Sequence, residues 1–158
     1  MIPPEFVTPF IVSNGFAIGL LIVAVFWPKV ARVLFIVLFL GAGLFNGYTA
    51  LTEPEAYLMY ADFAVLPIYR NFINGLFNQI TTPFILAMAA GQLAVSALLA
   101  GKGPRLMLGV VGGIVFFVAI APLGVGSAFP FSVFTIIALV VMHRKLNRQP
   151  EASVSHEI

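Results

Sequence analysis

The sequence predicts an all-α fold: a polytopic membrane helical bundle of five transmembrane helices, four making a core and one preceding it, with the N-terminus outside and the C-terminus in the cytoplasm. Three observations lead there. Of 158 residues, 61% are hydrophobic and only 9% charged, whereas ordinary soluble domains carry about a quarter charged residues. With a mean hydropathy of +1.06, there is too little polar surface to cover a water-soluble domain. The apolar residues are also gathered into five runs, broken by Pro, Gly and charge. Finally, the charges are sorted by sign between alternate connections, as expected of a chain that crosses a membrane repeatedly.

The first run covers 10–27 and stops at Pro28. The segment before it, MIPPEFVTPF, has an acid at Glu5 and no Lys or Arg, and the run ends in FWPKV without a small-x-small cleavage pattern. It is expected to remain as a helix rather than leave as a signal peptide. The second run covers 30–51 and ends at Thr52 and Pro54. An outer loop, 52–67, follows. The third helix is expected over 68–100 with a kink near Pro83, the fourth over 105–123 and the fifth over 128–143. At 1.5 Å per residue, ~20 residues cross a ~30 Å hydrocarbon core. The fifth run is the shortest and spans only if Gly126 to Pro130 lie within the bilayer or its helix begins before Phe131. Residues 1–143 thus read as one membrane domain, and 144–158 as a basic membrane edge followed by a disordered tail.

Charge placement sets the orientation. Lys29, Arg32, Lys102, Arg105, Arg144, Lys145 and Arg148 fall on one side of a five-span chain, seven of its eight basic residues. Glu5, Glu53, Glu55 and Asp62 fall on the other, with Arg70. Basic residues mark the cytoplasmic side.

The outer loop is the one long segment of mixed character. Thr52-x-x-Glu55 has capping-box spacing, so an interfacial helix is expected to run from there to Leu66, before Pro67. Tyr57, Tyr60 and Tyr69 suit a bilayer edge, where a phenol keeps one end wet. Arg70 is expected to hold the loop through an ion pair with Glu53, Glu55 or Asp62, the alternatives being an anionic headgroup, a quinone oxygen or a partner. Beyond Pro67, Arg70, Asn71, Asn74 and Asn78 recur every three or four residues, and the same stripe carried forward reaches Gln92 and Ser96. A continuous polar seam of this kind would face the bundle interior or a wet cleft. Together with Asn14, and with Asn46, Tyr48 and Thr49 on the second helix, it could line an outward-facing pocket beneath the loop. Interhelical hydrogen bonding alone would equally explain such amides. The candidate ligand-binding residues are Asn46, Tyr60, Asp62, Arg70, Asn71, Asn74, Asn78 and Gln92.

Several function classes are disfavoured. The chain has no cysteine, which removes disulfides, thiolate metal sites and Cys nucleophiles. His143 and His156 do not stand on facing helices at haem-bridging spacing. Mid-membrane carboxylates, on which proton-coupled transport relies, are lacking. Paired buried carboxylates, nucleophile–base pairs and phosphate loops are lacking too, and no basic stripe suits nucleic acid. No catalytic residue, metal or intrinsic cofactor is assigned. The small-residue pairs Gly15/Gly19, Gly43/Gly47, Ala87/Gly91 and Gly109/Gly113 argue for close helix packing.

The stretch Arg32-Val-Leu-Phe-Ile-Val-Leu-Phe-Leu-Gly-Ala-Gly, the later Leu98-Leu99-Ala100-Gly101 and Arg105-Leu106 resemble the openings and closings of core helices in the DoxX-like family of small bacterial membrane proteins. The resemblance covers Arg32 to about Met142. It implies a four-helix core, to which the first helix is an addition, and a role as an accessory or anchoring subunit, in some members beside a quinone-linked oxidoreductase. The family tends to carry a glutamate near the position of Gln92, and here that charge is missing.

Two roles follow as expectations for a multi-pass protein of the bacterial inner (plasma) membrane. One is a non-catalytic subunit or anchoring module, in contact with lipids and with other membrane subunits or further copies of itself. The other is a binder or carrier of a lipophilic small molecule, quinone or lipid, held in the polar seam. A third, an integral-membrane enzyme, would place Asp62, Arg70 and Tyr60 at one polar centre.

Overall fold

A computed structural model describes residues 4–148; the tail 149–158, including His156, and the Glu5 side chain lie outside the description. Among the described residues every regular element is helical. Helix α1 (Pro4–Phe26) starts well before residue 10. Pro28 does not so much stop α1 as open α2 (Pro28–Thr52), because a first-turn proline lacks only an N–H that has no helical partner there. Trp27, at φ −134° and ψ 69°, is the single residue between them.

The outer loop is not one helix. Pro54–Tyr57 is a short 3₁₀ turn and α3 is the single turn Tyr60–Phe63. The expected capping box does not form: Thr52 is still in α2, and its hydroxyl donates to the Tyr48 carbonyl at 3.0 Å. Next come α4 (Pro67–Phe72), a π-helical segment (Ile73–Phe77) and α5 (Asn78–Ala100). Ile80 leaves helical geometry (φ −126°, ψ 24°) just before Pro83, inside α5. Helix α6 (Pro104–Ile120) passes into a 3₁₀ stretch, Ala121–Ser127, and α7 (Phe131–Asn147) completes the chain.

The long helices alternate in direction. Helices α2 and α5 are antiparallel, with Ser96 Oγ donating to the Ile36 carbonyl at 2.9 Å and Asn46 meeting Gln92 further along. Helices α1 and α7 run the same way: Asn14 Nδ2 donates to the Ala128 carbonyl before α7 (2.9 Å), and Lys145 reaches the Val25 carbonyl at the far end of α1. Close backbone approach joins the core helices. A methyl on Gly43 would lie 3.1 Å from the Ala89 carbonyl oxygen, and one on Gly109 would lie 2.7 Å from the Leu99 nitrogen. Gly15, Gly19 and Gly91 have no such neighbour, so only part of the small-residue pattern serves this packing.

One core lies toward the end bearing the basic residues, around Phe35, Phe39, Leu99, Leu139 and Met142. Arg32 fixes that end of α5, its guanidinium donating to the carbonyls of Leu99 and Ala100, each at 2.7 Å. These carbonyls have no further turn to bond, and a cation meets the negative end of the helix dipole there. A second core, around Ala50, Tyr57, Ala61, Ile73, Phe77 and Ile85, lies beneath the outer loop. Large apolar side chains such as Leu44, Phe45, Leu51 and Val115 face outward on α2 and α6. Four helical stretches are long and apolar enough to cross a membrane: Phe6–Phe26, Pro28–Thr52, Pro67–Ala100 and Pro104–Ser127. Helix α7, at 17 residues, is shorter.

Candidate lipophilic cavity beneath the outer loop

The outer loop is seated on the 3₁₀ stretch between α6 and α7. The Val65 amide donates to the Pro122 carbonyl at 2.9 Å. Gly124, at φ 61° and ψ −130°, lets this contact form, since a Cβ there would lie 2.6 Å from the Phe63 carbonyl oxygen. Arg70 holds the loop from its other side. Its partners are not carboxylates, as the ion-pair expectation had it, but the carbonyls of Ala61 (3.2 Å) and Ala64 (3.5 Å) at the end of α3. A chain turning through a one-turn helix leaves carbonyls unbonded, and a guanidinium fork satisfies several at once.

Under this loop, between α4–α5 on one side and α6 on the other, lies a cavity of about 740 Å³. Its walls are mainly aromatic and aliphatic: Phe72, Phe77, Phe84, Phe116, Ile85 and Met88 among them. The polar lining is Asn46, Tyr57, Tyr60, Tyr69 and Ser127. Tyr57 donates its hydroxyl to Asn46 Oδ1 at 2.8 Å, and Asn46 Nδ2 donates to Gln92 Oε1 at 2.9 Å. This relay ties the loop to α2 and α2 to α5, with Gln92 only 1% exposed. Tyr69 bridges α4 to α6 by donating to the Ala119 carbonyl at 2.9 Å. Burial pushes the phenols of Tyr57 and Tyr60 above their ordinary range; for Tyr57 the Thr49 side chain partly offsets this and the neighbouring Tyr60 adds to it. Both are therefore neutral hydrogen-bonding groups at physiological pH.

The structure divides the sequence-predicted residues. Asn46, Tyr60 and Gln92 come together, the first two in the cavity wall and the third behind Asn46. Asp62, Asn71, Asn74 and Asn78 are exposed outside that cavity, so the polar seam does not face the interior. Asn78 instead borders a separate notch of about 200 Å³ with Glu55, Gln79 and Thr82. The physical reason is the π-helical segment and the break at Ile80. Each changes the helical phase, so a stripe extrapolated at 100° per residue from Arg70 does not continue onto the face of Gln92. Asn14 lies elsewhere, between α1 and the turn before α7. Of Asp62, Arg70 and Tyr60, only Tyr60 lines the cavity; Asp62 is exposed, and Arg70 is engaged by the carbonyls of Ala61 and Ala64. Tyr57 and Tyr69 belong to the cavity wall though the sequence marks them only as interfacial; their spacing from Tyr60 and Pro67 was the available signal. No group of three His, Asp, Glu or Cys residues that could hold a metal occurs among the described residues.

Compared with protein families, with curated proteins and with solved structures, the chain matches none. The site is therefore read from its own geometry.

Proposed function

We propose that this chain is a five-span, N-out/C-in protein of the bacterial inner membrane that binds or carries a lipophilic small molecule, a quinone or lipid, in the cavity beneath its outer loop. The cavity carries the reading. Small-molecule sites are typically concave, mostly apolar and roughly 300–1,000 Å³, with a few placed polar groups; this one has about 740 Å³ and a Tyr57–Asn46–Gln92 relay along one wall. The five-span reading counts α7, whose 17 residues reach roughly 25 Å, as a crossing. It then gathers Lys29, Arg32, Lys102, Arg105, Arg144, Lys145 and Arg148 at one end, which the positive-inside rule assigns to the cytoplasm.

The likeness to DoxX-like proteins belongs to this proposal too. In its support, the stretch that opens with Arg32 and the stretch Leu98–Gly101 are direct neighbours, joined by the Arg32 guanidinium. A subunit role in a larger complex is compatible with ligand binding, but the cavity shifts the weight to the ligand.

The test is native mass spectrometry of the protein extracted gently from its own membrane, beside an Ala87→Trp variant that fills the cavity from α5. Retention of a small molecule by the wild type and its loss from the variant are expected. A stoichiometric protein partner with no retained molecule would favour the anchoring-subunit reading instead.

A further inference from the structure

We propose that the cavity selects an uncharged, single-tailed amphiphile, which slips in sideways between α4 and α6 and presents a hydroxyl or carbonyl head to Tyr60 and Asn46. This rests on the reading of the cavity as a lipophilic site and adds which head it accepts and by which route.

The walls decide the charge. Among the described residues, the cavity lining is carbon surface, one amide, three phenols and a serine hydroxyl, with no Lys, Arg, His, Asp or Glu. A charged head entering it would lose its hydration without a counter-charge, which strongly disfavours its entry. Arg70, on α4 beside the outer loop, is engaged by the carbonyls of Ala61 and Ala64. A neutral head meets suitable partners. Within the relay Asn46 Nδ2 spends one hydrogen on Gln92, leaving its second as a donor. Tyr60 lines the same space outside the relay and can donate or accept.

The walls also decide the route. Toward the outer loop the cavity is bounded by buried Tyr57, and the loop is packed down there by buried Ala61 and Ala64 and by the Val65–Pro122 hydrogen bond. On the flank, lining residues are open to the outside of the bundle: Ile68 is 71% exposed and Phe84 42%. The Tyr69–Ala119 hydrogen bond crosses this flank from α4 to α6, so entry between these helices requires that bond to open. A volume of about 740 Å³ suits one tail and one small head, and not a whole two-tailed phospholipid.

Tritiated oleyl alcohol and oleyl sulfate share a tail and differ in head charge, so equilibrium binding of each to the protein in nanodiscs separates the possibilities. The alcohol is expected to bind at least about tenfold more tightly than the sulfate. Tyr60→Phe, which keeps the ring against Gly126, is expected to weaken the alcohol several-fold, about the worth of one hydrogen bond, and to leave the sulfate unchanged. Equal or tighter binding of the sulfate, or no measurable binding of the alcohol, overturns the proposal. If the sulfate's binding is also lost in Arg70→Gln, the head sits at the outer loop rather than in the cavity. The two readings fail separately: Ala87→Trp abolishing both probes without head preference keeps the cavity and removes its selectivity, whereas Ala87→Trp changing neither removes the cavity as the site.

Discussion

Asn46 and Gln92 show how polar residues in an apolar chain tie helices together beside a cavity. Each amide satisfies the other, and Tyr57 extends the link to the outer loop. Replacing Gln92 by Leu removes the partner of Asn46 and is expected to cost about 0.6–2 kcal/mol, the range of interhelical hydrogen bonds in membranes; reversible unfolding in mixed micelles measures it. Gly124 is more demanding. At φ 61° and ψ −130°, with the Phe63 carbonyl 2.6 Å from any Cβ, Gly124→Ala is expected to cost about 1–3 kcal/mol through backbone strain alone. It should also free the outer loop, seen as faster amide exchange over 58–66. The phenols supply a pH signature. Their folded-state pKa values are raised, chiefly by burial, so their contribution to stability is complete below about pH 10, the unfolded value, and disappears as pH rises through the higher folded values. Absorbance titration at alkaline pH should accordingly lose its late-ionising component in the Tyr57→Phe, Tyr60→Phe double variant. Only part of this was legible in the sequence. Asn46 and Gln92 stood out as amides in apolar runs. Their mutual bond could not be read, because it depends on the register of two helices separated by the whole outer loop.

At the level of elements, the long helices were legible because hydropathy over some twenty residues is a strong signal. Their ends were less so. Pro28 looked like a stop and proved to be a first-turn position, whereas Pro54 ends the second run and, as a first-turn proline can, opens the 3₁₀ turn after it. The interrupted α4–α5 arm was the least legible. A kink was expected near Pro83, but the π-helical turn at 73–77 has no composition of its own beyond a glycine, and the break at Ile80 lies between the exposed Asn71, Asn74 and Asn78 and the buried Gln92. Arg32 illustrates the reverse case. Read as a charge that orients the chain, it also fixes the C-terminal end of α5. Arg32→Met keeps most of the apolar stem and removes the donors, and a loss of about 1–3 kcal/mol is expected, as for hydrogen bonds involving a charged group. Because the charge is lost as well, Arg32→Lys separates the effects: it retains the positive charge at that end but not the forked geometry, so it should recover only part of the stability.

Across the whole molecule, the cavity gathers residues from α2, the outer loop, the α4–α5 arm, α6 and the stretch before α7. No local pattern could announce a space bounded by five separate segments, and it was absent from the sequence reading except as a pocket placed beneath the loop. The bilayer orientation is testable independently, helped by a chain with no native cysteine. Single cysteines at Glu55 and Lys102 should react with a membrane-impermeant maleimide from opposite sides in intact cells and inverted vesicles; labelling of both from one side would contradict the five-span reading. The central claim, that a lipophilic molecule occupies the cavity, is tested most directly by photolabelling. An alkyl diazirine probe, equilibrated with the protein in nanodiscs, irradiated and mapped by peptide mass spectrometry, should concentrate its adducts on Phe72, Phe77, Phe84 and Phe116 and lose them in Ala87→Trp. Adducts spread evenly over outward-facing residues such as Leu44, Phe45 and Val115, with no excess in the cavity, would contradict the account.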